Sequence, residues 1–170
     1  MLTVKLIYAL LFFTLTMMFA SSEDTTLTIG KSIPSVIALD HDNNEFDFEV
    51  SLADTVTVVF FYPKAHTPGC TQQACSLRDA YKELHKKGIQ VLGVSSDSPK
   101  SQKSFKEKYS LPYTLISDKS GAVAKAFGKG KWSRQAYIFS DNKLVWKDTK
   151  GSTSKQGEEA IEVLTSLGLF

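Results

Sequence analysis

The chain has 170 residues, 42% of them apolar and 22% charged, with a formal net charge of +2. That suits one domain of ordinary size, or one domain with an appendage, long enough to bury a core without staples. Ordinary levels of Gly, Pro and charge exclude a collagen, a coiled coil and a disordered tail, and the near-neutral balance gives no electrostatic reason to expect nucleic acid as a partner.

Residues 1–22 differ from the rest. After the single cation Lys5, the stretch from Leu6 to Ser22 carries no charge and is apolar with interspersed threonines, ending in Ala20-Ser21-Ser22. A basic start, an apolar middle and small residues at the end match a secretory signal peptide cleaved near Ser22. The alternative is an uncleaved membrane anchor over residues 6–22, since the run approaches the roughly 20 residues that span a bilayer. The domain is then 23–170, and cleavage implies a periplasmic or secreted protein with no stable membrane association once the signal is removed.

Val36–Leu39 and Glu45–Glu49 flank the turn-rich Asp40-His-Asp-Asn-Asn44, and the alternation in the second run predicts a half-exposed hairpin strand. Val56–Tyr62 is β-branched and aromatic throughout, which predicts a central strand buried on both faces and ended by Pro63. From Thr71 to Lys87, Ala74, Leu77, Tyr81 and Leu84 recur at three and four, one helical stripe closed by Gly88. Ile89–Val94 is the next buried strand, and Ser98-Pro99 opens a helix that turns Phe105 and Tyr109 inward. Lys100, Lys103, Lys106 and Lys108 read as its solvated face. A short strand near Tyr113–Ile116, a turn at Asp118–Gly121 and a short helix over Ala122–Phe127 follow, the helix stopped by Gly128. Ala136–Phe139 and Leu144–Lys147 form a hairpin, and Gln156–Leu167 is a last amphipathic helix. The order implies an α/β fold, with a mixed central sheet between helices on both faces. In such sheets the reactive site lies at the carboxyl end of a central strand.

Just beyond Tyr62 the chain reads Pro63-Lys-Ala-His-Thr67-Pro-Gly-Cys70-Thr-Gln-Gln-Ala-Cys75, and these are its two cysteines. Two cysteines make neither a zinc cage nor a disulfide framework. Cys70 falls in the first turn of a helix, where free N–H groups and the dipole favour an anion, so its pKa is expected to be depressed and its thiolate activated. Cys75, next to Ala74 and near Leu77, is expected to be more buried and more thiol-like. On an intact helix, positions i and i+5 are about 8.6 Å apart in Cα. A disulfide needs less than about 7 Å, so this pair can close only if the first turn unwinds. A structural disulfide over so short a loop would contribute only roughly 2 kcal/mol.

The stretch Phe60–Asp79 resembles the peroxiredoxins of the bacterioferritin-comigratory-protein, or peroxiredoxin Q, type. Pro63, Thr67 and Cys70 match the family pattern Pro-x-x-x-Thr-x-x-Cys, and Val91–Ser95 and Thr114–Asp118 resemble it too. The resemblance covers about residues 27–168. It implies a thioredoxin-like three-layer fold and a thiol peroxidase acting on hydrogen peroxide and organic hydroperoxides. Cys70 would be the peroxidatic cysteine, and Cys75 the resolving cysteine that forms an intramolecular disulfide. Thr67 would hold thiolate and peroxide, and Pro63 would shield the pocket. Arg134, shortly before a late strand, would stabilise the thiolate and the charge that develops as the O–O bond breaks. A thioredoxin-like dithiol protein would be the reductant; no cofactor and no metal are expected, and the chain would be a monomer.

The sequence departs from the family pattern at Gln135-Ala136-Tyr137, where many relatives have a small hydroxyl residue and then Phe, and in the shorter segment Gly128–Ser133. Arg134 reads otherwise as a solvated surface cation, His66 as solvent-facing, and Trp132 as a groove residue or a packing one. Three competing functions are weaker. A thioredoxin-like exchanger normally carries Cys-x-x-Cys, which is absent. A binding domain with a structural disulfide would have no free thiol. A His66/Cys70/Cys75 metal site offers only three ligands at odd spacing.

Overall fold

The computed structural model describes residues 26–130 and 133–170; the expected signal segment and Trp132 lie outside them. The run of β-branched and aromatic residues after Val56 forms β3 (Thr57–Phe61), buried at every position. It pairs in parallel with β4 (Gln90–Ser95), in register Val58 with Val91, and β4 pairs in parallel with β5 (Thr114–Ser117). On the other side of β3 runs β6 (Gln135–Ser140), antiparallel, followed by β7 (Lys143–Asp148). Asp141 and Asn142, both at positive φ, make the two-residue turn between them. β1 (Ile37–Asp40) and β2 (Glu45–Asp47) complete a seven-stranded mixed sheet of order β2-β1-β5-β4-β3-β6-β7.

Helices cover both faces, as the alternation of elements implies. The long helix here labelled α2 (Pro68–Lys86), α3 (Pro99–Lys108) and α5 (Gln156–Ser166) pack with Val58, Phe60, Tyr62, Val91, Leu115 and Ile138. The short α1 (Phe48–Ser51) and α4 (Ala122–Ala126) pack on the opposite face with Val59, Phe61, Leu92, Ile116 and Phe139. The Ser98 hydroxyl caps α3, accepting from Ser101 N at 3.3 Å, as the Ser-Pro pair implies.

Two local expectations are corrected. The run Glu45–Glu49 is strand only as far as Asp47, whose carboxylate accepts from Val50 N at 3.3 Å and starts the helical turn α1. That turn sinks Phe48 fully into the core, edge-on to Phe127 at 5.6 Å. Apolar alternation does not register a capping carboxylate. Lys106 is not part of a solvated face either: it is half-buried, and its Nζ donates to the carbonyls of Leu111, at 2.9 Å, and Tyr113. Burial lowers its pKa. The long lysine stem reaches back from α3 to the carbonyls of the segment entering β5.

α2 and α5 approach closely. A Cβ on Gly157 would stand 2.3 Å from the Ser76 carbonyl oxygen, so only glycine permits the contact, and Gly157 N donates to Ser76 Oγ at 2.9 Å.

Candidate active site

The chain leaves the carboxyl end of β3 at Tyr62, turns through Pro63–His66 and enters α2. Thr67 is the N-cap, Pro68 the first helical residue and Cys70 the third. The Thr67 hydroxyl does not accept a helix N–H; it donates to the Lys64 carbonyl at 3.0 Å. Pro63 is half-buried, and the exposed His66, at φ 64°, sets its ring edge-on to Phe105 at 5.2 Å.

A polar network beneath the turn holds it in place. Asp97 Oδ2 accepts from Ala65 N at 2.7 Å and from Ser95 Oγ at 2.7 Å, and Asp97 Oδ1 accepts from Ser101 Oγ at 3.3 Å. Gln102 Nε2 donates to the Ser95 hydroxyl at 2.9 Å, and the Tyr62 hydroxyl donates to Gln102 Oε1. Burial pushes the Tyr62 phenol well above its ordinary range, so it remains a neutral donor.

β6 delivers Arg134 to the sulfur. Gln135 pairs with Phe61 in antiparallel register, so the residue before Gln135 lies opposite the turn that carries the cysteine. Arg134 Nη1 stands 3.1 Å from Cys70 Sγ and 3.2 Å from Gln73 Oε1. Two glycines clear its path. A Cβ on Gly69 would be 2.7 Å from Arg134 Nη2, and one on Gly151 would be 3.1 Å from Arg134 Cβ. The guanidinium is therefore an aimed side chain, not a free surface cation. The departing residues beside it satisfy one another: the buried Tyr137 hydroxyl, its pKa raised to about 12 by burial, bonds to Gln135 Oε1 and to the Phe127 carbonyl.

The relative burial of the cysteines is the reverse of the expectation. Cys70 is 1% exposed, with its sulfur facing the core and Arg134, whereas Cys75 is half-buried. Five residues rotate a side chain by about 140° on a helix, which carries Cys75 off the inward stripe to the flank, near Arg78 and Tyr113. Both thiols are free, and α2 is unbroken between them, with Thr71 N bonded to Thr67 O at 2.9 Å. Among the described residues no three His, Cys, Asp or Glu side chains gather as metal ligands. A hollow of about 630 Å³ opens beside Pro63 on the α4 face, lined by Phe61, Val94, Ser95 and Lys129 among others; neither cysteine lines it.

The motif reading missed Gln73, Gln156, Asp97 and the two glycines around Arg134. Gln73 could have been found, because it lies three residues after Cys70 and so on the same helical face. The others reach the site only through tertiary contacts.

Residues 29–147 match the AhpC/TSA family. The chain is 36% identical over 151 residues to peroxiredoxin bcp1 of Schizosaccharomyces pombe, covering 85% of this chain and 77% of the yeast protein. It is 42% identical over 146 residues to the chloroplastic peroxiredoxin Q of Populus jackii, covering 81% of this chain and 68% of the plant protein. Among solved structures, peroxidoxin BcpB of Mycobacterium tuberculosis superposes with a TM-score of 0.75 at 29% identity, over 83% of this chain and 98% of that one. A cysteine-to-serine mutant of peroxiredoxin Q from Xanthomonas campestris superposes with a TM-score of 0.74 at 25% identity, over 85% of this chain and 99% of that one. The sheet and its helical layers are thus those of the thioredoxin-like peroxiredoxins, and the chain belongs to the AhpC/TSA family as a peroxiredoxin of the Bcp, or Q, type.

Proposed function

We propose that Cys70 is the peroxidatic thiol of this peroxiredoxin and that Cys75 resolves it within the same chain. The observation that carries the reading is the Arg134 guanidinium 3.1 Å from a sulfur held in the first turn of α2. A helix N-terminus and a charge-assisted donor together favour negative charge on that sulfur. The Cys70 thiolate attacks the terminal oxygen of a hydroperoxide. The O–O bond breaks, the leaving oxygen takes a proton and departs as water or an alcohol, and the sulfur becomes a sulfenic acid. Arg134 stabilises the charge that develops on the separating oxygens. The Thr67 hydroxyl already donates to Lys64 O, so its lone pairs are available to accept the peroxide O–H. Pro63 screens the turn from water.

In the second step the Cys75 sulfur attacks the sulfenic sulfur, an S–S bond forms and water leaves. The intact helix keeps the two Cα atoms about 8.6 Å apart, so the first turns of α2 open before this bond closes. A thioredoxin-like dithiol protein then supplies two electrons and two protons and restores both thiols. The chain acts as a monomer, because the resolving cysteine needs no second copy. Residues 1–22 export it and are cleaved near Ser22; mass spectrometry of the mature N-terminus tests this, and finding Met1 would refute it.

The test of the chemistry is hydrogen peroxide consumption with a dithiol reductant. Cys70→Ser abolishes it, and Cys75→Ser permits one turnover and then stalls or depends on the external thiol. Full turnover by Cys70→Ser would overturn the reading.

A further inference from the structure

Two glutamine side chains lead away from the site. Gln73 Oε1 accepts from Arg134 Nη1 at 3.2 Å. Its Nε2 donates to Gln156 Oε1 at 3.2 Å, and Gln156 Nε2 reaches Glu159 Oε2 at 3.4 Å. Both amides are buried, Gln73 at 0% and Gln156 at 1% exposure. A primary amide has one acceptor end and one donor end, so Gln73 can present its oxygen to Arg134 only while an acceptor stands behind its nitrogen. Gln156, on a helix 83 residues further along the chain, is that acceptor.

We propose that Gln156 is a positioning residue, which holds Arg134 against Cys70 through Gln73 and ties the second turn of α2 to α5, setting how readily the first turns open. The proposal rests on Cys70 being the peroxide-reactive thiol and Cys75 its resolver. The tether lies within the segment that must move. Both the Arg134–Gln73 and Gln73–Gln156 bonds fall between the two cysteines in the chain, so both break when residues 68–75 unwind. The next bond, from Gly157 N to Ser76 Oγ, sits just beyond Cys75, where the α2 and α5 backbones touch. Opening therefore has a natural stop at Ser76.

The two catalytic steps want opposite things from this tether. Attack on the peroxide needs the helix closed and Arg134 aimed. Resolution needs it open. A tight tether speeds the first step and prolongs the sulfenic acid, which a second hydroperoxide can then oxidise to sulfinic acid, losing its own leaving oxygen as water or alcohol. The amide pair thus sets the balance between resolution and over-oxidation.

The test compares the full chain with Gln156→Leu, which keeps the bulk and removes both polar ends, and with Ile161→Ala, which loosens the same helix without touching the amides. Losing one buried hydrogen bond corresponds to about a tenfold change in an opening equilibrium. Amide hydrogen exchange in residues 68–75 accelerates about tenfold in Gln156→Leu and not in Ile161→Ala. In stopped-flow with hydrogen peroxide, Gln156→Leu forms sulfenic acid about tenfold more slowly. It closes the disulfide faster, and it accumulates less sulfinic acid by mass spectrometry. A general loss of stability would not move the two steps in opposite directions. Unchanged exchange in residues 68–75 overturns the tether whatever the protein does with peroxide. Faster exchange with both chemical steps slowed overturns the division of labour. A wild-type chain inert to peroxide, with exchange still accelerated in Gln156→Leu, refutes instead the reading of Cys70 and leaves the structural tether standing.

Discussion

The Arg134 guanidinium donates to the Cys70 sulfur across 3.1 Å although 64 residues separate them, and the register of β6 against β3 accounts for the meeting. Removing it by Arg134→Ala takes away one preorganised donor to the developing charge. Loss of such a donor costs about 10²–10³ in rate. The second-order rate constant with hydrogen peroxide therefore falls by about that factor while the circular dichroism spectrum is retained. An unchanged rate would remove Arg134 from the chemistry.

Gly69→Ala separates activity from stability. Alanine is the better helix former by up to about 1 kcal/mol, so the thermal midpoint holds or rises. The new Cβ would lie 2.7 Å from Arg134 Nη2 and must push it aside. Peroxide reactivity is expected to drop more than tenfold in a protein at least as stable as the parent. A stable variant with full activity would show that the position of Arg134 does not matter.

Asp97→Ala releases the turn from below. The Ala65 N–H and the Ser95 and Ser101 hydroxyls all lose their acceptor. Urea denaturation should show a loss of about 1–3 kcal/mol. The peroxide rate constant should fall with it, because the turn carries Thr67 and leads into Cys70. Lost stability with an unchanged rate would limit Asp97 to the scaffold.

Alkaline pH destabilises the fold through three tyrosines. Burial holds the Tyr62 and Tyr113 phenols well above the ordinary 10.0 and raises Tyr137 to about 12. In the unfolded chain all three titrate near 10, so above that pH the unfolded state binds fewer protons. Their stabilisation is complete below pH 10 and is lost as pH rises toward the folded values, at about 1.4 kcal/mol per pH unit for each. Lys106 and Lys129 act in the opposite sense, because burial lowers their pKa and the resulting penalty fades as pH approaches the ordinary lysine value. Three groups outweigh two, and the urea midpoint falls between pH 10 and 11.5. A midpoint that rises over that range would contradict the burial of these phenols.

How far the sequence could be read follows from where each contact originates. β3 was legible because a strand buried on both faces needs an unbroken apolar run, and Val56–Tyr62 is one. The place of Cys70 was legible because Pro68-Gly69 marks a helix start. The burial order of the two cysteines is not legible, since adjacency to Ala74 points to the core although the helix turns Cys75 to its flank. Arg134 came from the family resemblance, and only strand register explains its position. Gln156 and Asp97 carry no local mark at all: a buried amide or a loop carboxylate acquires its role only when a distant partner folds against it.

The role of Cys70 and Cys75 rests finally on which sulfur reacts first. Reduced protein is mixed with one equivalent of hydrogen peroxide, quenched with an alkylating reagent at increasing times, and its cysteine peptides are mapped by mass spectrometry. The expected sequence is early sulfenic acid on Cys70 alone, followed by a Cys70–Cys75 linkage within single chains as it disappears. Sulfenic acid appearing first on Cys75, or a Cys70 thiol still free after the peroxide has been consumed, would contradict the assignment.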